Sequence, residues 1–191
     1  MANLARNYHK NLQYEGVGLP YDHQNYETNI KDILEEIPWN QCLTNEVRNN
    51  IEWRVEADQI REAMSLAKNG SATGIDGLPY ELWKELDRTY VKAEEEGSNG
   101  FDIADTLAVV FQDIQDHGVD ERSNFALGWM CPIYKKKDKK EISNYRPITL
   151  LNTDYKLLTK VLAIKLMNHI PAMIHPNQAG FIPNCSIFDH I

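Results

Sequence analysis

An arginine and a run of lysines fall within a dozen residues of each other in this 191-residue chain. Lys135-Lys136-Lys137-Asp138-Lys139-Lys140 comes first, and Asn144-Tyr145-Arg146-Pro147-Ile148-Thr149-Leu150-Leu151 follows almost at once. A guanidinium offers a planar fork of donors that fits a phosphate bidentately or lies on a base, whereas each lysine is a movable point charge. Pro147 stiffens the chain beside the arginine. Residues of these types, at this spacing, suit the gripping of a polyphosphate and of the nucleic-acid strand beside it. From spacing alone, two other readings are open: the lysines as a merely solvated turn, and Arg146 as the partner of a carboxylate inside the fold.

The charge distribution bears on that choice. The chain carries a net charge of -8, which by itself disfavours a nucleic-acid partner. Between Cys131 and Lys165, however, nine Lys/Arg face only Asp138, Glu141 and Asp154, a local balance of +6, so the remainder carries -14. Such a split predicts one polyanion-facing surface on an otherwise acidic body.

Other chemistries lack their residues. The six histidines make no H-E-x-x-H or Cys/His zinc spacing, and His169 and His175 are separated by Pro171. Gly16-x-Gly18 has neither a third glycine nor a preceding strand, and no G-x-S-x-G or P-loop pattern occurs. Cys42, Cys131 and Cys185 are odd in number and widely spaced, which fits a reducing compartment. No apolar run approaches about 20 residues, so no membrane span or membrane partner is expected, and the first residues lack the apolar core of a signal peptide.

The elements that must position the cations can be read from periodicity. Leu4, Tyr8 and Leu12 predict a first short helix ending near Gly16, and Ile30, Ile33, Leu34 and Ile37 a second, stopped by Pro38. Residues 1–54 thus read as a helical accessory segment, and residues 55–191 as the main domain. Ala57, Ile60, Ala63, Met64 and Ala67 predict a helix running to Asn69-Gly70. Asp76-Gly77 predicts a turn, with Asp76 read as architectural, and Pro79 the first position of a helix carrying Leu82, Trp83, Leu86 and Tyr90. Asp102 should cap the next helix, whose core face is Ile103, Leu107, Val110, Phe111 and Ile114 and whose end is Gly118. After Gly128 the pattern turns to strands: Trp129 to Tyr134, irregular at Pro132, then the lysine turn, then Tyr145 to Leu150. Asn152 or Thr153 should cap a long, largely buried helix to about Asn168. Pro171 and Pro176 predict a short turn, Gln178 to Pro183 a brief strand, and Ser186 to Asp189 the opening of another helix.

Five segments then occur in a telling order: Gly74-Ile75-Asp76-Gly77-Leu78-Pro79; Leu127 to Tyr134 with the lysines; Asn144 to Leu151; Tyr155-Lys156-Leu157-Leu158-Thr159-Lys160; and His175 to Pro183. From Val55 to Ile191 the chain closely resembles the N-terminal fingers portion of LINE-type non-LTR retrotransposon reverse transcriptases, with fungal elements nearest. Residues 1–54 resemble the connector that follows the endonuclease domain in such polyproteins.

The resemblance implies an α+β, mostly helical fingers subdomain of a right-hand polymerase with a short antiparallel β-hairpin, truncated before the palm. It implies that Arg146 lies along the base and triphosphate of the incoming nucleotide, and that one of Lys135, Lys136 or Lys137, with Lys136 favoured, reaches the outer phosphates. It further implies that Gln178, Gly180 and Phe181 lie near the template. Its partners would be an RNA template, a DNA primer, a deoxynucleoside triphosphate and the missing palm and thumb. Its residence would be intracellular, and nuclear if it follows the family. Where the family has Gly-Arg-Ser, this chain has Asn184-Cys185-Ser186, losing a flexible backbone position and a charge. The Mg2+-binding aspartates of the family lie in palm boxes downstream of the segment matching Ile191. The chain by itself is therefore expected to bind no metal cofactor and to have no catalytic residue. A domesticated nucleic-acid-binding module and a decayed retroelement product without function are the alternatives.

Overall fold

A computed structural model of the chain describes residues 2–16, 23–37, 42–174, 178, 180 and 182. Its elements in order are α1 (Ala2–Gly16), α2 (His23–Glu35), α3 (Asn45–Glu52), α4 (Ala57–Ser65), α5 (Tyr80–Glu95), α6 (Ile103–His117), β1 (Trp129–Tyr134), β2 (Tyr145–Leu150), α7 (Thr153–Met167) and α8 (Ile170–Met173). The protein is mostly helical with one two-stranded antiparallel sheet, an α+β arrangement. The chain divides into two compact units. One comprises Met1–Asn40 and Trp129–Leu150, and the other Gln41–Gly128 and Leu151–Ile191.

The second unit holds the hydrophobic core. Val55, Ile60, Ala63, Met64 and Ala67 meet Ile103, Ala104, Leu107, Ala108 and Phe111 of α6 and Leu157, Leu158 and Val161 of α7. Tyr80 closes one side, and Trp83, Leu86, Phe125 and Ile164 pack around it. Val55 is the first residue of this core in chain order and is fully buried. Its backbone cannot reach water, and two side chains of α6 satisfy it: Val55 N–H donates to Gln115 Oε1 at 2.9 Å, and Gln112 Nε2 donates to the Val55 carbonyl at 2.8 Å.

Local chemistry sets both ends of α6. Asp102 accepts from the backbone N–H groups of Ala104 and Asp105, both at 3.0 Å, and Gly118 at φ 81° closes α6. Arg61 of α4 joins the helices electrostatically. It donates to Asp102 at 2.6 Å, to Asp87 of α5 at 3.0 Å and to Asp58 at 3.2 Å, and its guanidinium lies over the Tyr90 ring. Burial works against both charges of the Arg61–Asp102 pair, and the hydrogen bonds outweigh it. The Arg61 pKa is raised, and the Asp102 pKa is lowered with help from the two backbone donors.

The first turn of α7 is locked to the Asp76-Gly77 turn. Leu78 N–H donates to Asp76 Oδ1 at 3.0 Å and Gly77 sits at φ 72°, the left-handed conformation that suits glycine. Thr153, with no exposed surface, donates from its hydroxyl to the Leu78 carbonyl at 2.8 Å and accepts from Trp83 Nε1 at 2.7 Å. Asp76 N–H reaches Asn152 Oδ1 at 3.4 Å. Gly74 lies so close to Asn152 that a Cβ there would meet Asn152 Oδ1 at 2.1 Å and its backbone nitrogen at 2.4 Å. Glycine is required at position 74 by space, since nothing larger fits.

Several sequence expectations need correction. Helix α4 ends at Ser65, four residues before Asn69, where a tighter turn takes over and Ala67 N–H donates to the Met64 carbonyl at 3.1 Å. Pro79 is the cap of α5 and not its first residue. Helix α7 is not largely buried. Only Thr153, Leu157, Leu158 and Val161 are buried, and Leu162 and Leu166 face outward because the helix is covered on one side. Val110 is likewise exposed, leaving Ile103, Leu107 and Phe111 with Ala104 and Ala108 as the buried face of α6. Helix α3 was not anticipated, although Thr44 caps it through Val47 N–H at 3.3 Å. Residues 170–173 form one helical turn with Pro171 at its start. Leu4 and Leu12 of α1 are exposed, whereas Ala5 is buried. The expected strand from Gln178 and the opening helix at Ser186 fall largely outside the described residues.

Candidate nucleic-acid interface

The cationic segment is a β-hairpin within the first unit. Trp129 pairs with Leu150, Cys131 with Ile148, Pro132 with Pro147, Ile133 with Arg146 and Tyr134 with Tyr145. Lys135 N–H continues the ladder by donating to the Asn144 carbonyl at 2.9 Å. Antiparallel pairs alternate between exchanging hydrogen bonds and not. Counting back from the Lys135–Asn144 bond puts Pro132 opposite Pro147 at a pair that exchanges none. Two residues without an N–H thus face each other without breaking the ladder.

Period-two alternation assigns faces. Arg146 and Ile133 share one face with Cys131, Ile148, Trp129 and Leu150, and Lys135 continues it. Tyr134 and Tyr145 lie on the other. The tyrosine rings meet edge to face with centroids 5.6 Å apart, as expected of a closely spaced pair. Their hydroxyls reach into the connecting loop. Tyr134 Oη donates to the Lys137 carbonyl at 2.7 Å and Tyr145 Oη to the Lys139 carbonyl at 2.9 Å. Asn144 Nδ2 donates to the Asp138 carbonyl at 2.8 Å, and Asp138 Oδ1 accepts from Lys140 N–H at 2.9 Å. Lys139 Nζ sits 5.3 Å from the centre of the Tyr134 ring. Lys137 has φ 74°, unusual for a side chain with a Cβ.

The electrostatics of the hairpin differ from those of the helical unit. Arg54, Arg61, Arg88 and Arg122 each hold a carboxylate. Lys135, Lys136, Lys137, Lys140 and Arg146 are exposed and form no ion pair with any described residue. The reading of Arg146 as an internal carboxylate partner therefore loses its support. The same face also exposes large apolar side chains, with Trp129 58 % and Ile133 53 % accessible. A surface of unpaired cations beside an aromatic ring and aliphatic side chains can bind phosphates while covering bases or sugars.

Two further predicted site residues, Gln178 and Gly180, lie in the second unit. Gln178 and Gly180 are exposed, and Gln178 Nε2 donates to the Gly180 carbonyl at 3.2 Å. A Cβ at Gly180 would meet only Gln178 Nε2, at an ordinary 3.4 Å. Phe181, and with it Asn184-Cys185-Ser186 and Asp189, lies outside the described residues. Among the described residues no group of three or more His, Cys, Asp or Glu is placed to hold a metal ion, and no helix is long and apolar enough to cross a membrane.

A relative supplies the context for this hairpin. Over 162 residues, 84 % of this chain, the sequence is 27 % identical to the "Transposon TX1 uncharacterized 149 kDa protein" of Xenopus laevis. The chain is similar to a transposon protein. It spans 11 % of that relative's length, and the similarity supports a retroelement origin for the sequence. No protein-family signature matches the chain.

Sequence reasoning missed the two tyrosines. The signal was present: Tyr134 and Tyr145 bracket the lysine turn at its two ends, where a hairpin places residues opposite each other.

Proposed function

We propose that this chain is the fingers portion of a LINE-type RNA-directed DNA polymerase, and that the Trp129–Leu150 hairpin is its polyanion-binding element. The observation that carries the reading is the set of exposed cations on one hairpin, none ion-paired with a described residue, in a chain of net charge -8. The order of the five sequence segments and the similarity to a transposon protein support the same reading.

In this account Arg146 engages a phosphate or lies on a base, Lys136 with its neighbours Lys135 and Lys137 contacts the outer phosphates of a nucleoside triphosphate, and Gln178, Gly180 and Phe181 lie toward the template. The partners are an RNA template, a DNA primer and the palm and thumb of the polymerase, with the nucleus as the place of work. The family's chemistry uses Mg2+ held by palm aspartates. None of the residues assigned here would hold that ion, so no chemical step is assigned to them. Residues 1–54 would serve as the connector and 55–191 as the polymerase segment.

The test is binding of a fluorescein-labelled RNA–DNA template-primer at graded salt, with Arg146→Ala and Lys136→Ala beside the native chain. Affinity should fall steeply with salt, and each substitution should weaken it. Binding that ignores both substitutions would overturn the assignment. A chain that binds but incorporates no nucleotide is the expected outcome with Mg2+ or Mn2+. Template-dependent extension by this chain would contradict that part.

A further inference from the structure

We propose that Tyr134 and Tyr145 are positioning residues that lock the lysine loop into the conformation that binds polyanions, an inference that rests on the function proposed above. The loop of residues 135–144 is exposed almost throughout and has no hydrophobic core of its own. A loop of that kind, carrying five lysines, would ordinarily spread its charges apart and sample many conformations. Here both tyrosine hydroxyls reach forward onto loop carbonyls, of Lys137 at 2.7 Å and of Lys139 at 2.9 Å. The rings brace each other, and Lys139 Nζ lies over the Tyr134 ring.

Two details point to function and not to hairpin stability alone. The first is the backbone of Lys137. A residue with a side chain at φ 74° carries a conformational cost that asparagine or glycine would avoid, and the bond to its own carbonyl is the one made by Tyr134. A lysine stands where a glycine or asparagine would fit the backbone at lower cost. The second is the partition of faces. Both tyrosines occupy the face opposite Arg146, so the bracing leaves the arginine, Lys135, Trp129 and Ile133 clear.

Ordering these cations before binding removes an entropic cost that would otherwise fall on the complex. The tyrosines themselves touch no phosphate in this scheme. The distinction is measurable. Removing a phosphate contact flattens the slope of log K against log salt by about 0.7 per contact on a single strand. Removing only the bracing weakens binding at every salt concentration and leaves that slope unchanged.

The experiment uses the full chain and fluorescein-labelled poly(U), read by anisotropy across a salt series. Tyr134→Phe and Tyr145→Phe delete one hydroxyl each while keeping the ring pair. Each should weaken binding about 3- to 10-fold with an unchanged salt slope. Lys136→Ala should lose affinity together with about 0.7 of slope. Amide hydrogen exchange across residues 135–144 of the free protein gives a second readout and should accelerate in both phenylalanine variants. Native affinity in both variants, or a reduced slope in either, would overturn the inference while leaving the proposed function standing if Lys136→Ala and Arg146→Ala still weaken binding. No binding by the native chain would remove the proposed function and this inference with it.

Discussion

The threonine that opens α7 gives the sharpest test of how the helical unit is held. Thr153 has no exposed surface, and its hydroxyl serves two partners at once, the Leu78 carbonyl at 2.8 Å and Trp83 Nε1 at 2.7 Å. Thr153→Val keeps the shape and deletes both bonds. A net hydrogen bond contributes about 1 kcal/mol, and a buried partner left unsatisfied costs about 1–3 kcal/mol more than an exposed one. The Leu78 carbonyl and the indole N–H are partly buried, so the loss should come to about 2–4 kcal/mol. Thr153→Ser keeps both bonds and deletes a methyl, which costs about 1 kcal/mol. Urea unfolding followed by circular dichroism should lower the midpoint at a constant slope with denaturant, more for valine than for serine. In a double-mutant cycle, Trp83→Phe should couple to Thr153→Val by about 1 kcal/mol. Equal losses for valine and serine would refute the reasoning, because the hydroxyl would then contribute nothing that the methyl does not.

Other expectations follow from the same geometry. Gly74→Ala should destabilise by about 2–4 kcal/mol in the same assay, because its Cβ would overlap Asn152 backbone atoms that cannot move without opening the first turn of α7. Gly77→Ala, with open space around it and φ 72°, should cost only about 1 kcal/mol. Arg61→Met leaves Asp87 and Asp102 without their shared cation and should cost about 1–3 kcal/mol, less at high salt. Asp154 has a raised pKa, first from burial and then from the nearby Asp76 charge. A carboxyl raised in the folded state binds its proton more tightly there, so it costs stability above its folded pKa and none below its unfolded one. Asp154→Asn should therefore melt higher than the native chain near pH 7, with the gain vanishing below about pH 4. A gain that persists in acid would contradict the sign.

The helices whose apolar periodicity coincides with a capping residue were legible in the sequence. Helix α6 is the clearest case: Asp102, Ile103, Leu107, Phe111 and Gly118 all take the parts their spacing indicates. The hairpin was legible for a related reason, since a short aromatic strand, a polar turn and a second strand can pair only with each other. Less legible was anything decided by distant partners. Helix α7 has apolar residues on nearly every side, and only packing decides that Leu157 and Val161 are buried while Leu162 and Leu166 are not. The Thr153 latch joins residues about 75 positions apart, and no local pattern announces it. Within the candidate site, the types and clustering of Arg146 and the lysines were readable. The bracing by Tyr134 and Tyr145 was not, because it depends on the strand register that pairs them.

The central claim is that the hairpin's unpaired cations bind a polyanion through Arg146 and Lys136, and the salt dependence of RNA binding tests it most directly. Log K of the full chain for poly(U) should fall linearly with log salt, and the slope should flatten by about 0.7 in each of Arg146→Ala and Lys136→Ala. A native chain that does not bind, or a slope indifferent to both substitutions, would contradict it.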